Sequence, residues 1–355
     1  MLKFTSAPAE EKPAPVRDGM KEFRGALHVH TFYPADKGSI EKLARTANAL
    51  GLDFVLVSDH NSLAALQGGK EGMYGKTLVL IGDEVSTDEG HLLVCGISRP
   101  IKGTASRYVV EQIRRQEGVV FIAHPFAKDY RWKNWSFGDF DGIEIYNTQA
   151  NMLDEDFLSL AVKGVALFPD EFYRSIIKIS PDALARWDRL LMKRKTVGIG
   201  STDAHESHGL PGMEIDSYQV MLKTINCHVI ARELSKAQVV EALRAGRLFF
   251  SFDIFADPSG FAFYVKRGER TFHMGDTLKA QPGDTLCVSV NRKTYVKVVH
   301  NGRPIHEAET DRIEIPLRGP GFYRVEVYVN RRPWIFSNPI YVELSDETDK
   351  AALSR

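Results

Sequence analysis

Apolar residues recur along this chain with two different periods, which change at about residue 250. Between about residues 23 and 250, short apolar runs alternate with segments in which apolar residues recur every three or four positions. The first such segment has Ser39 as a candidate N-cap, apolar residues at Ile40, Leu43 and Ala47, and Gly51 as a candidate stop. This alternation predicts repeated βα units around a parallel sheet or barrel.

After Phe250 the helical period gives way to short runs of alternating residues separated by turn signals. The Asn301-Gly302 pair is typical of a two-residue hairpin turn. We therefore predict an α/β domain followed by a small all-β, sandwich-like domain. The predicted parts are a disordered tail (1–22), the α/β domain (23–250), the β domain (251–345) and a second tail (346–355).

Composition gives few signals about partners. Lys plus Arg and Asp plus Glu each number 46, so net charge favours neither nucleic acid nor an anionic membrane. No apolar run approaches the roughly 18 residues that span a bilayer, and the first residues lack the apolar core of a secretory signal. The three cysteines are far apart and form neither a disulfide framework nor a thiolate metal motif. We expect a cytoplasmic protein, and the sequence leaves its oligomeric state open.

Histidines and carboxylates lie where the predicted strands end or begin. His28 and His30 in ALHVHT share one strand face, because side chains alternate along a strand. Since the carboxyl ends of parallel strands meet at one face, residues far apart in sequence are expected to converge there. The other residues in such positions are His60, Glu84, His91, His124, Asp203 and His205.

A single histidine at a strand end is more often satisfied by a backbone partner than by a metal. Six imidazoles crowded among carboxylates are different, because they would repel each other if protonated and leave unpaired atoms if buried and neutral. A cation resolves both problems. Nitrogen and oxygen ligands without a thiolate suit zinc, manganese or iron and do not suit calcium.

The motifs HVH, SDH, AHP and DAH, with a strand-end Glu between the second and third, resemble the PHP (polymerase and histidinol phosphatase) superfamily of metal-dependent phosphoesterases. The resemblance covers roughly residues 24–250 and implies a distorted, TIM-like (β/α)7 barrel with two or three divalent ions. One departure is that Asp36 lies in TFYPADKGS and not in the commoner short Ser-Asp-Gly stretch. The metal ligands that the resemblance implies are His28, His30, Asp36, His60, Glu84, His91, His124, Asp203 and His205.

The segments DGIEIYN, LRAGRLFFS and GFYRVEVYVNRRPWIFSNPIYV look like the carbaryl-hydrolase-like branch of the superfamily. That branch includes enzymes that cleave carbamate esters. Three hypotheses follow: a phosphoesterase, a carbamate or carboxyl ester hydrolase with the same metals, and a non-enzymatic binding module. The complete ligand set favours an enzyme, and the breadth of the superfamily favours phosphoester hydrolysis.

The resemblance also implies catalytic roles. Glu84 would bridge two ions roughly 3.5 to 4 Å apart, which would share one hydroxide as the nucleophile. Asp59, next to His60, is a candidate to orient a ligand imidazole or to help move a proton. Capping of the strand end explains Asp59 equally well.

Candidate substrate-binding residues lie near the same strand ends. The loop FAKDYRWKNWSF offers Lys128 and Arg131 beside aromatic residues, a mixture that suits an anion attached to a flat group and also suits an ordinary solvated loop. Tyr146 and Asn147 end the DGIEIYN strand, and His208 follows the DAH motif. We expect a small-molecule phosphate or ester as the substrate.

Overall fold

A computed structural model of the chain describes residues 19–34, 38–206 and 216–344. The strands in this part of the chain are β1 (Lys21–Val29), β2 (Phe54–Val57), β3 (Gly72–Tyr74), β4 (Thr77–Ile81), β5 (Asp83–Thr87), β6 (Gly90–Cys95), β7 (Val119–Ile122), β8 (Gly142–Asn147), β9 (Val197–Ser201), β10 (Asn226–Ala231), β11 (Leu248–Ser251), β12 (Ala262–Arg267), β13 (Arg270–His273), β14 (Thr277–Lys279), β15 (Thr285–His300), β16 (Arg303–Pro316), β17 (Gly321–Val329), β18 (Arg332–Ser337) and β19 (Ile340–Glu343). The helices are α1 (Ile40–Ala49), α2 (Ala64–Gln67), α3 (Ser106–Arg114), α4 (Thr148–Leu153), α5 (Phe157–Ala166), α6 (Pro169–Ile176), α7 (Pro181–Leu191), α8 (Tyr218–Met221) and α9 (Lys236–Ala245).

The helices begin and end where the sequence places their caps. The Ser39 side chain accepts a hydrogen bond from the Lys42 amide at 3.2 Å at the start of α1. Ser235 caps α9 in the same way, and Gly246 ends it with φ of 71°, a conformation that glycine adopts without a Cβ penalty. Among the described residues, no helix is long and apolar enough to cross a membrane.

The described strands form two sheets, and the larger one contains three neighbouring parallel strands. Strands β1, β2 and β4 are parallel neighbours, while β10 and β11 continue from β1 in antiparallel order. The second sheet has the order β5-β6-β7-β8-β9, in which β7, β8 and β9 are parallel. Isolated parallel bridges, Val29 with Ala204 and His60 with Glu84, join the two sheets at the carboxyl ends of the parallel strands.

The structure shows a mixed α/β fold, but it does not show the predicted closed (β/α)7 barrel. Among the described residues, the hydrogen-bonded ladders form two separate sheets. Isolated bridges and single backbone hydrogen bonds connect these sheets, such as the bond from the Asp203 amide to the His28 carbonyl. One reason lies in residues 83–95, where β5 and β6 form an antiparallel hairpin. A hairpin reverses the chain without a helix, so the βα repeat that would continue a parallel barrel is interrupted there.

The chain after residue 251 is built from strands, and helices are absent from its described part. This agrees with the predicted all-β segment. These strands pack around a second apolar cluster that includes Phe263, Val298 and Trp334. The larger sheet, however, runs through residue 250 without a break, because β11 pairs with β18 in antiparallel register. The predicted domain limits therefore stay a prediction.

Asn338, which follows β18, ties the C-terminal segment to the second sheet. Its fully buried side chain donates to the Gly198 carbonyl at 2.8 Å and accepts from the Gly198 amide at 2.9 Å. Gly198 lies in β9, the last strand of that sheet. Asn338 thus satisfies backbone groups that an edge strand would leave unpaired. Asn338, from the C-terminal segment, therefore stabilises β9, the strand that precedes Asp203.

Candidate metal centre

The ends of the parallel strands bring most of the predicted ligands together. His28 lies at the end of β1, and His60 follows β2. His124 follows β7, and Asp203 follows β9. All four strands run in the same direction within their sheets, so their carboxyl ends open at the face where the two sheets meet.

The β5–β6 hairpin adds two more predicted ligands, one from each of its antiparallel strands. Glu84 lies in β5, and His91 lies at the start of β6, which runs antiparallel to β7. The start of β6 therefore lies beside the end of β7, as the hydrogen bond from the Ala123 amide to the His91 carbonyl shows. The hairpin that interrupts the barrel is thus the element that carries Glu84 and His91 into the site.

One oxygen of Glu84 faces three imidazoles. Glu84 Oε2 lies 3.1 Å from His28 Nε2, 3.2 Å from His30 Nε2 and 3.0 Å from His60 Nδ1. The Glu84 side chain is 1% exposed. A buried carboxylate surrounded this closely by nitrogen ligands requires positive charge in the site.

The other oxygen of Glu84 faces two further imidazoles. Glu84 Oε1 lies 2.8 Å from His91 Nδ1 and 2.8 Å from His124 Nε2. The two oxygens of one carboxylate thus point to different histidines, which is the arrangement expected of a residue that bridges two cations.

Asp203 completes the buried side of the cluster. Its Oδ1 lies 3.1 Å from His30 Nε2, 3.6 Å from His28 Nε2 and 3.6 Å from His205 Nδ1. His205 is partly exposed and its ring stacks on that of His30, with ring centroids 4.2 Å apart. Asp203 and Glu84 are therefore two carboxylates that both face His28 and His30.

Three of these residues have a backbone conformation that is uncommon for residues other than glycine. The φ angles are 58° at His28, 26° at His124 and 55° at Asp203. The pairing of β1 with β2 also shifts register between Ala26 and Val29, around His28. Positive φ costs free energy and persists at sites where surrounding contacts enforce it. Bulges next to active sites redirect side chains in this way.

Glu144, which was not among the predicted site residues, contacts two residues of the cluster and holds them in position. Its Oε1 accepts from His28 Nδ1 at 2.8 Å, and its Oε2 accepts from the His124 amide at 2.6 Å. Asn147 Nδ2 lies 3.0 Å from both Glu144 Oε2 and Asp203 Oδ2, so it links the two carboxylates. The sequence does contain a signal: Glu144 is the one charged residue inside the apolar strand GIEIYN.

The hydrogen bond to Glu144 fixes the tautomer of His28. If Nδ1 carries the proton, the Nε2 lone pair of neutral His28 points at Glu84 Oε2. Two lone pairs facing each other at 3.1 Å repel unless a cation lies between them. Buried atoms without a hydrogen-bond partner lie throughout this cluster, and they include His28 Nε2, His30 Nε2, His124 Nδ1, Glu84 Oε2 and Asp203 Oδ1.

The pKa values of the imidazoles separate across the site. Burial lowers the pKa of His60 to about 4. Burial also opposes protonation of His30, but the carboxylates of Asp203 and Glu84, 3.1 and 3.2 Å from its Nε2, raise its pKa to about 9. The pKa of His28 is raised well above its usual value, because the charges of Asp203, Glu84 and Glu144 outweigh burial. The carboxylates therefore draw positive charge to the nitrogen atoms that would bind a metal.

Among the described residues, the donor atoms fall into three overlapping groups, and within each group the donor atoms all lie within 4.8 Å of one another. Glu84, His30 and His60 each belong to two groups, as shared ligands of a multinuclear site would. Histidine nitrogen and carboxylate oxygen suit zinc, manganese or iron, so the residues present fit divalent ions. The groups are His28, His30, Glu84 and Asp203; His60, Glu84 and His91; and His30, His60 and His205.

Asp59 contacts Thr31 with both carboxylate oxygens. Its Oδ1 accepts from the Thr31 amide at 2.5 Å, and its Oδ2 accepts from the Thr31 hydroxyl at 2.6 Å. Since Thr31 follows His30, Asp59 fixes the backbone beside a predicted ligand, and its catalytic role stays a prediction.

Two predicted site residues lie outside the described residues. They are Asp36, predicted as a metal ligand, and His208, predicted as a substrate contact.

A cavity of about 270 Å³ opens beside the cluster. Of the predicted substrate contacts within the described residues, none lines this cavity. Lys128 and Arg131 are exposed, while Tyr146 is buried with its ring against Phe252. Asn147 binds Glu144 and Asp203 instead. The residues that line the cavity are His60, Glu84, His91, His124, Ala127, Asp129, Tyr130, Gln149, Ala150, Leu153, Asp154, Asp203 and His205.

Comparison with known proteins gives a limited likeness. No family model and no curated protein sequence matches this chain. The structure is similar to a two-domain protein from Bacteroides vulgatus described as containing a predicted PHP-like metal-dependent phosphoesterase, with 15% identity, a TM-score of 0.47, and coverage of 94% of this chain and 100% of that one. It is also similar to a protein from Bifidobacterium adolescentis described as a metal-dependent phosphoesterase, with 13% identity, a TM-score of 0.35, and coverage of 53% of this chain and 90% of that one. Likenesses of this strength assign no activity, so function must be inferred from the site.

The contacts of Glu144 lead to a prediction about metal affinity. Glu144→Gln keeps the shape of the side chain but removes the charge that holds the His28 proton on Nδ1. We expect divalent metal affinity to fall by about 10- to 100-fold, the usual effect of losing such a supporting carboxylate. Competition with a chelator at fixed pH measures this, with the exposed Glu241→Gln as a matched control. Equal affinities in the two variants would show that Glu144 does not support the metal centre.

Proposed function

We propose that this chain is a metal-dependent hydrolase of ester bonds that belongs to the PHP superfamily and acts on phosphoesters. The observation that carries the proposal is that the two oxygens of buried Glu84 face five imidazole nitrogens, at 2.8 to 3.2 Å. This arrangement supports two or three divalent ions, of manganese, zinc or iron. When bound, such ions lower the pKa of water towards about 7 and polarise the oxygen of the ester under attack.

The residues of the chain have distinct tasks in this proposal. Glu144 keeps His28 in the tautomer whose Nε2 is free to bind a metal, and Asn147 orients Asp203. His60 and His91 form the cavity side of the cluster, where a substrate would enter. The buried side, formed by His28 and Glu144, excludes water and so strengthens the electrostatic interactions within the site.

The proposal predicts a metal content of at least two divalent transition-metal ions per chain. Elemental analysis of the purified, dialysed protein after reconstitution with manganese or zinc, each supplied separately, measures it. His30→Ala is expected to lose at least one ion, since His30 belongs to two donor groups. His306→Ala, a change in the C-terminal segment, serves as the control and should lose none. Fewer than one tightly held ion per chain in the parent protein would contradict the proposal.

Hydrolysis of carbamate or carboxyl esters is the second candidate, and the lining of the cavity favours it. Among the described residues, neither lysine nor arginine lines the cavity, although phosphate sites in proteins commonly include one. A screen of phosphomonoesters, phosphodiesters, aryl esters and carbamates with the metal-loaded protein separates the candidates. Turnover of phosphoesters alone supports the first candidate, and turnover of carbamates or carboxyl esters alone supports the second.

A further inference from the structure

A second cavity, of about 200 Å³, lies outside the metal centre. It opens where the end of α1, helix α6 and the start of β10 meet, and the described residues that line it differ from those of the cavity beside the metal ligands. Drug-sized molecules occupy sites of roughly 300–1,000 Å³, so this cavity suits a smaller ligand. Its lining combines an aliphatic surface, a buried amide oxygen and charges of both signs.

Aliphatic side chains form one part of the cavity wall. Leu52, Leu222 and Ile254 are buried there, and Leu50, the C-cap of α1, is half-buried. Sites for small molecules combine an apolar surface of this kind with a few polar groups that fix the orientation of the ligand. We therefore expect the ligand to have a compact apolar body.

Asn226, the first residue of β10, brings an unsatisfied hydrogen-bond acceptor to the wall of the cavity. Asn226 is 1% exposed, and its Nδ2 donates to Asp253 Oδ2 at 2.9 Å and to the Leu222 carbonyl at 3.2 Å. Because both of these partners are acceptors, they fix the orientation of the amide, and the atom left without a partner is Oδ1. A buried acceptor without a partner costs free energy, which a ligand that carries a hydrogen-bond donor would recover.

Three cations and two carboxylates also line the cavity. Arg24 Nη1 lies 3.5 Å from Asp253 Oδ2, and Lys223 Nζ lies 2.6 Å from Asp170 Oδ1. Arg174 is exposed and has no ion-pair partner among the described residues. An unpaired guanidinium group suits a carboxylate, whereas the two carboxylates of the wall favour a positive group elsewhere on the same ligand. Both signs of charge on one small cavity therefore fit a zwitterion.

We propose that this second cavity binds a small aliphatic α-amino acid. The carboxylate of the ligand pairs with Arg174, its ammonium group donates to Asn226 Oδ1 beside Asp253, and its side chain contacts the aliphatic part of the wall. The predicted metal ligands do not line this cavity. The inference is therefore independent of the proposed hydrolase function.

Leucine, isocaproate and isoamylamine provide a matched set of probes, because they share one aliphatic chain. Isocaproate lacks the ammonium group of leucine, and isoamylamine lacks its carboxylate. Titration calorimetry of the full chain with each probe measures the three affinities. We expect leucine to bind at least about tenfold more tightly than either analogue, the factor that about 1.4 kcal/mol of selective binding produces. Equal affinities for the three probes, or no binding of leucine, would overturn the inference.

Two variants locate the bound leucine. Arg174→Gln should weaken the binding of leucine at least about fivefold and leave that of isoamylamine unchanged, since isoamylamine has no carboxylate for Arg174 to pair with. Arg107→Gln, the same change at an exposed position in α3, is the control and should change neither affinity. Leu50→Trp fills the cavity with a larger side chain and should abolish the binding of leucine. Leucine binding that survives both Arg174→Gln and Leu50→Trp would show that the ligand lies elsewhere and would contradict the assignment of this cavity.

Discussion

Glu84→Gln is expected to lower turnover by at least about a thousandfold, because it removes the carboxylate that would hold both ions of the proposed site. Glu84 carries the charge and the second oxygen needed to serve two ions, whereas each histidine offers one neutral nitrogen. In the variant, an NH2 group replaces one oxygen. That group would face either His91 and His124 or the three histidines on the other side. A donor in either position opposes metal binding.

Kinetics on the best substrate of the screen, with metal content measured in parallel, test this prediction. Glu233→Gln is the matched control. Glu233 is exposed, and its substitution makes the same charge change away from the site. The control should keep both activity and metal. A Glu84→Gln enzyme within tenfold of the parent, with both ions retained, would show that the bridging role belongs to another residue.

The convergence of the ligands was predictable because it depends on strand ends, which apolar runs mark clearly in the sequence. His60 and His124 each follow a short apolar run, and parallel strands bring such positions to one face. His91 was found for the same reason, although it begins a strand: β6 runs antiparallel, so its start lies at that face. This face of the sheets therefore collects side chains both from the ends of the parallel strands and from the start of an antiparallel strand.

The closure of the sheet and the supporting residues could not be predicted in the same way. Six residues separate Glu84 from His91, which is too few for the crossover that joins parallel strands, so the sequence did contain a hairpin signal there. The prediction of a closed barrel did not take this interruption of the repeat into account. Glu144 was missed because its neighbours Ile143 and Ile145 mark the strand as core. The pairing of β11 with β18 joins residues more than 80 positions apart, which local patterns do not report.

A buried charge network connects the C-terminal strands to the α/β part of the chain. Arg324 of β17 donates to both oxygens of Asp188 in α7, at 2.7 and 2.8 Å, and to Glu326 at 2.6 Å. Its guanidinium group also lies over the ring of Trp187, 5.3 Å from the centroid. The Arg324 side chain is only 2% exposed. Two carboxylates thus share this buried cation, and Glu326 also pairs with Lys297 at 3.2 Å.

Arg324→Ala is therefore expected to lower the free energy of unfolding by about 3–5 kcal/mol, since it leaves Asp188 and Glu326 as buried charges without their main partner. Urea unfolding followed by tryptophan fluorescence measures the change. Arg312→Ala is the matched control, because Arg312 pairs with Glu314 on the exposed face of β16, and pairs of that kind contribute little.

The same substitution should also affect the metal centre. If the buried network connects the two parts of the chain as the structure indicates, Arg324→Ala should weaken metal binding, because α7 packs against β8, the strand of Glu144. Equal losses of stability in the two variants would show that the Arg324 network does not hold these parts together.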